Sequence, residues 1–169
     1  LGNPQPGTVC QNSSPASETR TGRNPGKTSG VEGKDWPLML TILADHNIEG
    51  QATMLWGTLA TEGWTELLQI HLSMLAHEGL PHDSSDRKIW RFAQKNRMIL
   101  LTANRRMKGE DSLEQTIREE NTTDALPVLT IGSINHIQER TYRERCAERL
   151  VEIVVELENY LGTGRIFIP

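Results

Sequence analysis

Three side chains are spaced so that they could do chemistry together. Asp45 follows the apolar run Leu38–Ala44 in the stretch LADHN, Asp86 opens the segment DRKIWRFAQK, and Asn104 ends Thr102–Ala103–Asn104 directly after the run MILLT. Two carboxylates gathered in one place repel each other unless one is protonated or a cation lies between them. Oxygen donors with no cysteine among them suit Mg²⁺ or Mn²⁺. A divalent ion so held polarises a phosphodiester and activates water, so the chemistry implied is metal-assisted hydrolysis. Asp111 is a further candidate ligand, whereas Asp83 and Asp124 read as solvated loop acids. A structural role is open to each acid as well. Asp45 could cap a turn, Asp86 could sit in the favourable first turn of a helix, and Asp111 could act as a helix cap.

Basic residues flank these positions. Arg105, Arg106 and Lys108 follow the MILLT run, and Arg87, Lys88 and Arg91 come after Asp86. Such groups position RNA through its phosphates without reading its sequence; ordinary solvated charge is the alternative. The five histidines, His46 among them, show no ligand spacing.

The elements that must hold these residues alternate. Leu38–Ala44 (LMLTILA) reads as a buried strand, followed by an amphipathic helix near Glu49–Glu62 with Ile48, Ala52, Leu55, Trp56 and Leu59 on one face. Gly63 stops it, and Trp64–Leu68 reads as a second, short strand. Gln69–His82 is ambiguous, with Leu72, Leu75 and Ala76 pointing to a partial helix. Ser84 or Ser85 caps a helix to about Lys95. Strands are expected at Met98–Thr102 and Pro127–Ile131, with a helix between them from Asp111 or Ser112 to Glu120, where Asp111 and Glu114 resemble a capping box. A long helix is expected over Arg140–Leu161, then an edge strand at Arg165–Ile168.

Continuous hydrophobic strands alternating with helices argue for an α/β fold, a Rossmann-like three-layer α/β/α arrangement with a mainly parallel sheet of four or five strands. In that architecture ligands bind beyond the carboxyl ends of the strands. Asp45, Asp86 and Asn104 would then converge on one edge.

The chain has 169 residues and a formal charge of −4, too mild to decide for or against a nucleic-acid partner. Residues 1–35 are rich in Gly, Pro, Ser, Thr and Asn and read as a disordered tail ahead of one domain over 36–169. Cys10 and Cys146 make neither a disulfide framework nor a zinc spacing, which points to a reducing cytoplasm. No apolar run is long enough to cross a bilayer. G-x-x-x-x-G-K-[ST], G-x-G-x-x-G and G-x-S-x-G are all missing from the sequence, which disfavours an NTPase, a dinucleotide enzyme and an α/β-hydrolase.

The order LADHN, helix, SSDRKIWRFAQKNRMILLTAN resembles the small PIN-like proteins of the toxin-related nuclease superfamily, the DUF5615 type. Their pattern is an Asp closing the first strand, a Ser/Ala-Asp opening a helix, and an apolar strand running into Thr-x-Asp. The similarity covers roughly Leu38–Arg106, and the later elements keep the order to Ile131. It implies a metal-dependent ribonuclease whose acidic positions fall on Asp45, Asp86 and Asn104, with an antitoxin-like partner and a homodimeric state as further implications. The third position departs from the family, since Thr-x-Asp stands here as Thr102–Ala103–Asn104. Asn offers a carbonyl oxygen without charge, and Glu110 or Asp111 lies close enough in sequence to supply one. The same departure supports a second expectation, a catalytically reduced module that binds RNA or a protein without cutting. A receiver-like domain is weaker, because no paired acid precedes Asp45.

Overall fold

The computed structural model describes residues 1–2, 39–105 and 109–169. Trp36, Leu38, Arg106, Lys108 and the tail reading over 3–35 lie outside these residues. The chain divides into units Leu1–Lys34 and Asp35–Pro169, and the second carries every element below.

Five strands form one parallel sheet: β1 (Leu40–Ala44), β2 (Ile70–Met74), β3 (Met98–Thr102), β4 (Val128–Ile131) and β5 (Arg165–Ile168), in the order β2-β1-β3-β4-β5. Side chains alternate across the sheet with a period of two. Ile42, Ala44, Ile99, Leu101, Leu129 and Ile131 face a core shared with α1 (Glu49–Thr61) and α5 (Arg140–Val155). Leu43, Leu100 and Val128 face a second core with α3 (Asp86–Lys95) and α4 (Leu113–Glu120). The fold is therefore the expected three-layer α/β/α sandwich.

The connections carry an irregularity. α4 and α5 both link neighbouring strands in the same direction along the sheet, yet they lie on opposite faces. The β4–α5–β5 connection consequently has the opposite hand to the other three. Parallel crossovers share one hand in about 98% of cases, so a connection of the opposite hand is rare.

Two expectations fail between Gly63 and His82. Trp64–Leu67 is a single helical turn, α2, not a strand; Gly63 at φ +78° ends α1 and lets the chain restart immediately. The strand comes later, at Ile70–Met74, where a partial helix was expected. It is an edge strand, and its sequence IHLSM lacks the apolar run of its neighbours because His71 faces solvent. At the other end of the chain α5 stops at Val155 and a 3-10 turn covers Leu157–Tyr160, shorter than the expected helix to Leu161.

β5 is held by an unusually close approach. Gly132 N–H donates to Ile168 O at 2.9 Å, and the Tyr142 hydroxyl donates to Pro169 O while accepting from Ser133 N–H at 2.7 Å. A Cβ at Gly132 would lie 2.1 Å from Pro169 O.

Candidate functional site

The strand order reverses direction between β1 and β3. From β1 the chain moves one way to β2; from β3 it moves the other way to β4. Adjacent strands whose connections leave in opposite directions open a crevice at their carboxyl ends. Asp45 is the first residue past β1, and Thr102 is the last of β3.

Asp45 is fixed from three sides. Its N–H continues the ladder to Leu101 O at 2.9 Å, its carbonyl accepts from Ile48 N–H at 3.1 Å, and its Oδ2 accepts from the Thr102 hydroxyl at 2.8 Å. The residue is only 7% exposed. Burial raises its pKa above the ordinary value of 3.8. The Thr102 hydrogen bond opposes that rise, and the charge of Asp86 adds to it.

Asp86 arrives from the other layer. Ser85 caps α3 by accepting from Lys88 N–H, which sets Asp86 in the first turn. Its Oδ2 accepts from Asn104 Nδ2 at 2.8 Å and from Leu113 N–H at 3.1 Å, tying α3 to the β3 loop and to the start of α4. Asp45 and Asp86 line one cavity of about 10 Å³ together with Ile89, Leu100, Thr102 and Leu113. That is room for one water-sized occupant. An open cleft of about 610 Å³ adjoins it, lined by Asn47, Asp86, Ala103, Asn104, Arg105 and Ile134.

Thr102 joins the two halves. Its hydroxyl donates to Asp45 and accepts from Asn104 N–H at 2.9 Å. Thr102→Val removes both bonds and strands a buried carboxylate oxygen and an amide. The expected cost is about 1–3 kcal/mol, read as a lower urea midpoint at unchanged slope; an unchanged midpoint would refute this role.

Asn104 is held from behind as well. Its carbonyl accepts from Arg165 Nη1 at 2.6 Å, and the same nitrogen lies 3.3 Å from Thr130 Oγ1. Arg165 Nε makes an ion pair with Glu114 at 3.4 Å without hydrogen-bond geometry, and the side chain is 10% exposed. Burial lowers its pKa, offset by Glu114 and Asp86. Arg165 was not among the expected site residues. Its signal was a lone charge opening an otherwise apolar strand, RIFI.

Asp111, Arg87 and Arg91 lie elsewhere. Asp111 is largely exposed and pairs with Arg87 Nε at 3.0 Å. The helix cap is its neighbour Ser112, which accepts from Gln115 N–H. The Arg87 guanidinium is spent on α4 and the loop before it, donating to Asp111, Glu119, Glu120 and Glu110 O. Arg91 pairs with Glu120. Among the described residues, Arg105 is the expected phosphate contact that lies exposed beside the cleft.

Among the described residues no group of three or more His, Cys, Asp or Glu is disposed to share a metal ion, so Asp45 and Asp86 stand as a pair. Comparison with protein-family models, with curated proteins and with solved structures gave no match, and the chemistry of the site is argued from its geometry.

Proposed function

We propose that the chain is a PIN-like, Mg²⁺- or Mn²⁺-dependent ribonuclease. The observation that supports this reading best is the Asp45–Asp86 pair, which flanks a cavity of about 10 Å³ at the reversal point of the sheet. The donor set fits a hard divalent cation. It is made of oxygens, it is anionic, and the burial that raises the Asp45 pKa is a cost that a bound cation would relieve. Asp45 and Asp86 would hold the ion, with Asn104 as a neutral third group. When bound, the ion would polarise the phosphodiester and activate water. The chain's own residues would do the rest: Thr102 orients the Asp45 carboxylate, Arg165 steadies the Asn104 backbone, and Arg105 meets the phosphate at the open cleft. A toxin-like role with an antitoxin-like partner, and a homodimer, follow from the family resemblance.

The full chain incubated with Mn²⁺ and a mixed single-stranded RNA pool tests this reading. Cleavage is expected to fall on the order of a hundredfold or more in both Asp45→Ala and Asp86→Ala. Undiminished Mn²⁺-dependent cleavage in both variants would sink it.

One observation favours a second reading. Asn104 Nδ2 already donates to Asp86, giving that carboxylate part of the neutralisation a cation would supply. On that reading the module binds RNA or a protein partner without cutting. Folded protein with neither cleavage nor any melting response to Mn²⁺ is its expected signature.

A further inference from the structure

A second cleft opens at the outer end of β5. It has a volume of about 320 Å³ and is lined by Arg105, Glu114, Ile117, Thr163, Arg165 and Phe167. Arg105 also lines the larger cleft beside Asp86 and Asn104, so the two share a wall. Phe167 is 51% exposed on an edge strand, a position where a large apolar ring gains little from packing. The Arg105 guanidinium carbon lies 5.7 Å from its ring centroid, near the outer limit of a cation–π contact, and Arg105 is itself exposed, so a base can take its place on the ring. On the inner side Arg165 is nearly buried, facing Glu114 at 3.4 Å with Asp86 further off. Two arginines against one glutamate leave the lining with a net positive charge.

A planar ring with a cation on its face, a second cation behind, and a volume at the small end of ligand pockets match one chemical unit: a nucleobase with its adjoining phosphate. We propose that this cleft is a base-stacking subsite for one nucleotide of a single-stranded nucleic acid, with the base on Phe167 and the backbone carried past Arg105 toward Asp86. The proposal rests on the ribonuclease reading for the direction of the strand, but stacking itself requires no cation. Sequence readout is not expected, because every base offers a π-face.

The test is fluorescence anisotropy of a labelled eight-nucleotide single-stranded RNA with the full chain in EDTA, where no metal-dependent cleavage occurs. Phe167→Ala is expected to weaken binding roughly tenfold, and Phe167→Trp to restore it. An RNA of the same length with abasic positions should bind wild type as weakly as the intact RNA binds Phe167→Ala. Phe167 is half exposed, so the variant should fold, which circular dichroism checks. Equal affinities for wild type and Phe167→Ala, or no binding by wild type, would overturn the subsite. Phe167-dependent binding without Mn²⁺-dependent cleavage would support the subsite while removing the hydrolytic reading, so the two failures are separable.

Discussion

Gly132→Ala is expected to lower the melting temperature by roughly 6–12 °C, the equivalent of about 3 kcal/mol for a chain of this size. The added Cβ would stand 2.1 Å from Pro169 O and 2.8 Å from Pro169 C, far inside van der Waals contact. Both are backbone atoms, so no flexible side chain can swing aside. Relief requires the Pro169 backbone, just past β5, to move, which strains the Tyr142 contact with Pro169 and the neighbouring Gly132 N–H to Ile168 O bond. Gly57→Ala is the control, since a Cβ there meets nothing within 4 Å and Ala is the better helix former. That variant should melt no lower than wild type. A Gly132→Ala protein as stable as Gly57→Ala would show that the approach relaxes without cost.

The second large effect is an inversion at Asp45. Burial raises its folded-state pKa above the unfolded value, so protonation favours the folded state. The associated stability is fully present below the unfolded value, near 3.8, and is lost as the pH rises through the folded one. At neutral pH the ionised side chain is therefore a liability in metal-free protein. Asp45→Asn keeps an oxygen to accept from Thr102 and sheds the charge, so it should melt higher than wild type at pH 7 in EDTA. That advantage should vanish at pH values below the unfolded value. With Mn²⁺ the order should reverse. At a hundredfold excess over Kd a ligand selective for the folded state adds about 2.7 kcal/mol, roughly 5–10 °C here, and only wild type should gain it. A variant that melts lower than wild type in EDTA at pH 7 would contradict the electrostatic account. Equal Mn²⁺ responses would instead contradict the metal site.

The parts of the fold legible in the sequence are those where one physical signal dominates. β1, β3 and β4 are covered on both faces and read as predominantly apolar, partly β-branched runs; α3 announces itself with Ser85 before Asp86 and with Ile89, Trp90 and Ala93 on its inner face. β2 has only one neighbouring strand and exposes His71, so nothing in IHLSM separates it from a helix fragment. Trp64–Leu67 looked extended because its bulky residues suit strands, but the left-handed Gly63 sets the backbone for another helical turn. At the site, Asp45, Asp86, Thr102 and Asn104 follow from strand ends and one helix start, and all four are brought together. The roles of Arg87 and Arg165 did not follow. Each depends on acceptors more than twenty residues away in sequence, from Asp111 to Glu120 for one and at Asn104 for the other, a pairing that only the packed layers reveal.

Arg165 has a bearing on when the site can come into being. It belongs to β5, which follows every other strand in the sequence, yet its guanidinium holds the carbonyl of Asn104, sixty-one residues earlier. During synthesis at about 5–20 residues per second, Asp45, Asp86 and Asn104 leave the ribosome seconds before the strand that braces them. Asn104 can meet Thr102 and Asp86 before that, but its carbonyl gains the Arg165 contact only when β5 docks beside β4. Assembly of the finished crevice therefore waits for β5, so a nascent chain that has not yet exposed Arg165 carries the acids of the site without its completed form.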